Sequence, residues 1–232
     1  MTNRSSWIFF NVVGYTVAGA AFGALQRARY QRYYEVVTSA SDAVSIATLN
    51  TAKSLAVFGI LLGTAQWLAL WRHRFARWWI PATAVGWSAA GVAVGVISGL
   101  TLGSLSSMGP HRSAVVTVLG VSLATVTVAF VPSAAQWLPL RRRVHNADRW
   151  PLVNLAGLVA GLTVGGVVVR WLLVEVVPML TPYDFPSAKA LVCVGALTGL
   201  VYGATTARWV DRHLVGNPVS NPVSDRGRAP AP

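Results

Sequence analysis

Polar residues interrupt this chain in short clusters, and between the clusters lie six apolar runs. They extend from Trp7 to Leu25, Leu55 to Trp71, Ile80 to Leu102, Ala114 to Leu140, Pro151 to Val169 and Ala190 to Val210. Crossing the hydrocarbon layer of a bilayer takes about 20 apolar residues in helical form, and each run comes near that length. In lipid a backbone must satisfy its own hydrogen bonds, so such runs fold as helices. The pattern predicts an all-α integral membrane bundle of six transmembrane helices over residues 1–215. Residues 26–54, with Glu35, Asp42 and Lys53, are too polar for a further crossing. They read as an interfacial or helical extension centred on 33–50, with Gln26 on the outer side and the second helix reaching back toward Asp42. From Asn217 the sequence Asn-Pro-Val-Ser occurs twice before a Pro-rich end, a composition that builds no core. Residues 216–232 are therefore expected to form a disordered cytoplasmic tail.

Composition narrows the class. Charged residues make up 11% of the chain and hydrophobic ones 54%, against roughly 25% charged in a soluble domain. That excludes a soluble globular enzyme, a disordered chain and a disulfide-stapled secreted domain. The net charge of +12 does not point to nucleic acid, because the basic residues sit in clusters between apolar runs. With both termini in the cytoplasm, twelve Lys and Arg fall inside and six outside, as the positive-inside rule requires. The stretch Gln26-Arg-Ala-Arg-Tyr-Gln-Arg is the clearest exception. Residues 1–25 also have the outline of a cleavable signal, with small residues at Ala18-Gly19-Ala20, which would leave five spans. The single Cys193 lies in an apolar run and reads as a small buried hydrophobe.

A self-similarity organises the middle of the chain. Gly59-x-x-x-Gly63-x-x-Gln66-Trp67-Leu68, followed by Arg72, Arg74, Arg77 and Trp79, is matched 70 positions later by Ala129-x-x-x-Ser133-x-x-Gln136-Trp137-Leu138, Arg141 to Arg143 and Trp150. Gly91 and Gly95 match Gly161 and Gly165, and Gly199-x-x-x-Gly203-x-x-Thr206 continues the series. The first helix carries Gly19-x-x-x-Gly23-x-x-Gln26 at an offset of 40. The reading is a parallel two-helix repeat of about 70 residues, with units near 55–124 and 125–194 and a partial third at 195–215. This unit, small-xxx-small-xx-Gln-Trp-Leu with a basic loop, resembles a recurrent pattern in uncharacterised bacterial polytopic membrane proteins. The resemblance implies a multi-pass protein of the bacterial inner membrane and carries no activity with it.

The recurring residues suggest contacts rather than chemistry. Small residues four apart let helix backbones approach closely. Gln66 and Gln136, one turn before their helix ends, read as a mutual clamp or as a polar contact for a solute or lipid headgroup. Arg170 and Glu175, at the outer end of the fifth helix, read as an interfacial network, with a gate as the sharper possibility. Arg72, Arg74, Arg77, Arg141, Arg142 and Arg143 form matching cytoplasmic patches suited to anionic lipid. Nine of the ten tryptophans lie at run ends and read as an aromatic belt, while Trp87 reads as packing. His73, His111, His145 and His213 form no metal or catalytic motif, and no cofactor is implied. The sequence predicts a non-enzymatic accessory or structural membrane component that binds lipid, a membrane-protein partner or its own copies. The alternative is a small transporter or channel with its pathway between the repeats.

Overall fold

The computed structural model describes residues 3–36, 40–105, 110–141, 143–144, 146–176 and 188–215. Side chains at 3, 29–36, 40–43, 74–75, 102–105, 110–114, 169–176, 188–190 and 214–215 are not among those described. Six long helices account for nearly all of it: α1 (Asn3–Val36), α2 (Ala40–Leu70), α3 (Trp79–Leu105), α4 (Pro110–Leu140), α5 (Trp150–Val176) and α6 (Ala188–Val210). Each contains a stretch of at least 22 residues long and apolar enough to cross a membrane, so the chain is a polytopic membrane protein in contact with lipid. The polar segment 26–54 resolves into the far ends of α1 and α2, two helices much longer than a bilayer requires. The tail from 216 onward lies outside the described residues.

Connections at the Trp7 end are short. A 3₁₀ turn over Arg74–Trp78 leads from α2 into α3, and another over Ala147–Arg149 leads from α4 into α5. Asn146 enters the second turn with φ 58°, a left-handed conformation that asparagine tolerates better than most residues. The helices alternate in direction and pack in chain order, and α6 closes the sequence by packing against α1. Backbones approach closely only between neighbours, so the six helices form a closed ring whose middle is filled by side chains.

Small residues set how close the neighbours come. A Cβ on Gly91 of α3 would stand 2.7 Å from the Ala52 Cα of α2, and one on Gly199 of α6 would stand 2.8 Å from the Val12 Cα of α1. Backbone-to-backbone packing of this kind replaces the hydrophobic drive that is absent in lipid. The α4–α5 seam differs, because Ala129 and Ser133 stand where α2 and α6 carry glycines. These two helices touch least of all neighbouring pairs. Two sequence expectations change here. Cys193 is exposed on the outer surface of α6 rather than buried, since its side of the helix faces away from the ring. Trp7, Trp79 and Trp150 are fully buried and Trp209 nearly so, whereas Trp71 and Trp78 are more than half exposed; only part of the supposed belt faces lipid.

Gly199→Val should lower the unfolding temperature of the purified protein, by an overpacking cost of about 1–3 kcal/mol. Gly166→Val, where an added Cβ meets nothing within 4 Å, should change it little. Equal effects would contradict the backbone-contact account.

Candidate functional site: a buried polar layer

Within the ring, one polar side chain from each helix points inward at the same level. They are Asn11, Gln66, Thr83, Gln136, Asn154 and Thr206, each at most 2% exposed. The α1, α3 and α5 members follow a buried tryptophan by four residues: Trp7 and Asn11, Trp79 and Thr83, Trp150 and Asn154. Four residues is about one helical turn, so tryptophan and polar residue share a face and stack as successive layers. Gln66, Gln136 and Thr206 lie four residues before the buried Leu70, Leu140 and Val210 on the antiparallel helices.

An amide inside hydrocarbon leaves costly orphans unless its donors and acceptor are matched. Here the matching runs from helix to helix. The Tyr202 hydroxyl donates to Asn154 Oδ1. Asn154 Nδ2 donates to Gln136 Oε1 at 3.2 Å and to Ser133 Oγ at 2.8 Å. Gln136 Nε2 donates to Gln66 Oε1 at 3.1 Å and to Thr83 Oγ1 at 3.0 Å. Gln66 Nε2 donates to Asn11 Oδ1 at 2.8 Å, and Asn11 Nδ2 to the Trp7 carbonyl at 2.8 Å. The path then returns, because Trp7 Nε1 donates to Thr206 Oγ1 at 2.9 Å and Thr206 to the Tyr202 carbonyl at 2.8 Å. Trp79 Nε1 adds a second donor to Gln66 Oε1 at 2.9 Å.

Aromatic rings seal the layer on both sides. Toward the short turns, Trp7, Trp79 and Trp150 meet pairwise edge to face at 5.6–6.5 Å, and Trp209 joins Trp150 at 5.0 Å. On the other side, Tyr15 packs on Tyr202 at 5.4 Å and Phe58 on Trp87 at 4.5 Å. Trp87 is thus a packing residue deep in the ring.

The circuit is uneven at one seam. Trp79 of α3 donates to the α2 glutamine, and Trp7 of α1 donates to the α6 threonine. Among the described residues, the indole N–H groups of Trp150 and Trp209 have no acceptor. Gln136 Oε1, on the helix before Trp150, accepts from Asn154. The unmatched Trp150 therefore coincides with the α4–α5 pair that also packs least tightly.

Of the residues singled out from sequence, Gln66 and Gln136 meet at the centre. Arg72, Arg77, Arg141 and Arg143 lie exposed at the Trp7 end, where Arg72 covers Trp71, Arg77 covers Trp78 and Arg141 covers Trp137 at 5.3–5.7 Å. Arg142 and the side chains of Arg74, Arg170 and Glu175 lie outside the described residues. His73, half-buried in the α2–α3 turn, has its imidazole pushed below the usual range by desolvation, and His213 stacks on Trp209 at 4.9 Å. Sequence reasoning missed Asn11, Thr83, Asn154 and Tyr202. The signal available was Trp-xxx-polar-xx-Gly, present at Trp7-Asn11-Gly14, Trp79-Thr83-Gly86 and Trp150-Asn154-Gly157. Aligning α1 on Gln26 hid it; Gln26 lies near the far end of α1, and Asn11 supplies that helix's polar contact. The chain matches no protein-family model, no curated protein and no solved structure.

Tryptophan-to-phenylalanine exchanges test the circuit. Trp79→Phe removes a bond to Gln66 and should cost about 0.5–1.5 kcal/mol more than Trp150→Phe, whose N–H has no acceptor to lose. Equal losses in thermal unfolding would contradict the assignment of partners.

Proposed function

We propose that this chain is a non-enzymatic structural or accessory component of a bacterial inner membrane, built from three parallel two-helix units with both termini in the cytoplasm. The units would be 7–70, 79–140 and 150–210, each with Trp-xxx-polar-xx-Gly on its first helix. Each second helix would carry small-xxx-small-xx-Gln/Thr: Gly59-Gly63-Gln66, Ala129-Ser133-Gln136 and Gly199-Gly203-Thr206. These boundaries differ from units starting at 55 and 125 because α1 enters through Trp7 and Asn11. Parallel units put every basic turn on one side, where Arg72, Arg77, Arg141 and Arg143 would face anionic headgroups.

The observation that carries the non-enzymatic reading is the fate of the interior polar groups. Gln66, Gln136, Asn154 and Asn11 donate to one another or to their own bundle. Groups so matched hold helices together and leave little to recognise a solute. On this reading the function lies on the outer surface, with lipid, a partner protein or a second copy. The looser α4–α5 seam, with its unmatched Trp150 N–H, favours one rival: a small transporter whose pathway opens sideways there.

Alanine at Gln66 and Gln136 separates the two. The structural reading expects the double variant to lose its single peak in size-exclusion chromatography. Transport expects a well-assembled variant in which a solute flux measured for wild-type proteoliposomes disappears. Purification at native abundance should also bring down a stoichiometric partner or defined homo-oligomer, and a lone monomer would count against the accessory role.

A further inference from the structure

The outer surface carries a groove that the polar layer does not explain. It runs between α3 and α4 at the Trp7 end, with a volume of about 500 Å³. Its floor is Pro81, Ala82 and Val85 of α3 with Ala135 and Leu138 of α4, and Arg143 stands at its rim. Val85 is 65% exposed and Leu138 53%, so these walls face outward rather than into the ring.

The groove owes its space to small side chains at one place in the sequence. Trp79-Ile80 is followed by Pro81 and Ala82, whereas Trp7-Ile8 is followed by Phe9 and Phe10. The two phenylalanine rings of α1 pack against each other at 5.4 Å and bulk out that helix. Gly86 also brings α3 against α4, since a Cβ there would stand 2.7 Å from the Pro132 Cα. The result is a trench with a tight back wall and small side chains at Pro81, Ala82 and Ala135.

The charge around the rim selects the occupant. Arg143 lines the groove, and Trp78, another lining residue, lies beneath the Arg77 guanidinium at 5.7 Å. Among the described residues, the lining contains no carboxylate. Asp148, in the turn before α5 and outside the lining, accepts from Trp137 Nε1 at 3.1 Å. An apolar trench ending at guanidinium groups complements a molecule with a long alkyl chain and an anionic head, and arginine matches phosphate with two parallel hydrogen bonds.

We propose that this groove binds one anionic glycerophospholipid, with an acyl chain along Ala82, Val85 and Ala135 and its phosphate on Arg143. The site rests on the reading above that the basic turns face an anionic leaflet, and it adds a defined place to a diffuse attraction. Occupancy would also brace α3 against α4 next to the loose α4–α5 seam.

Native mass spectrometry of the full chain tests this, after extraction into mild detergent with equal phosphatidylglycerol and phosphatidylcholine of the same acyl chains. Wild type should retain one phosphatidylglycerol in preference to phosphatidylcholine. Val85→Trp fills the trench and should abolish that adduct. Val13→Trp, at the matching outward position six residues after Trp7, should keep it. Arg143→Gln should reduce the preference for phosphatidylglycerol about fivefold. If Val85→Trp fails to assemble, Arg143→Gln carries the test alone. An adduct unchanged in Arg143→Gln, or lost equally in Val13→Trp, would overturn the groove while leaving the structural reading intact. A wild type with no preference for anionic lipid would overturn both the site and the headgroup role of the basic turns. The structural reading is tested separately, by whether the bundle assembles without Gln66 and Gln136.

Discussion

Every other feature of this protein depends on one constraint: amides placed in hydrocarbon must find partners. Gln136 Nε2 reaching Gln66 Oε1 across the middle of the ring is the central instance. A single interhelical hydrogen bond in a membrane contributes only about 0.6–2 kcal/mol. The layer matters because its members are linked, so that misplacing one helix orphans donors on two others. An unsatisfied buried group costs about 1–3 kcal/mol. Specificity of register, more than raw stability, is what such a layer provides.

Packing and polarity divide the work along the helices. Glycine faces on α2, α3, α5 and α6 bring neighbouring backbones close but permit sliding, since one small residue resembles the next. The polar layer fixes the vertical position, and the tryptophans above it leave little room for water. The α4–α5 seam lacks part of each device. It has Ala129 and Ser133 in place of glycines and a Trp150 N–H without an acceptor. Any movement of the ring should therefore begin there.

Much of the fold was legible because membrane helices announce themselves by length and apolarity. All six spans fall within a few residues of their sequence positions, except that α2 begins its apolar stretch at Val44, two residues beyond the polar Asp42 and eleven residues before the run at Leu55. The site was legible only in part. Gln66 and Gln136 stood out because an identical Trp-Leu follows each. Asn11, Thr83 and Asn154 did not, because a lone Asn or Thr near a helix start ordinarily reads as a cap. The tryptophans misled for a related reason: one at a run end is placed equally well in the headgroup belt or in the core. Only packing distinguishes Trp78, turned outward beneath Arg77, from its neighbour Trp79, fully buried on Gln66.

The most direct test of a self-satisfied polar layer is a double-mutant cycle on Gln66 and Gln136 with leucine, read by reversible unfolding in detergent. Each single exchange strands a partner amide, whereas the double exchange removes both. The loss in the double variant should fall short of the sum of the singles by about 0.5–3 kcal/mol. Strict additivity would show that the two amides do not depend on each other, and would contradict the account.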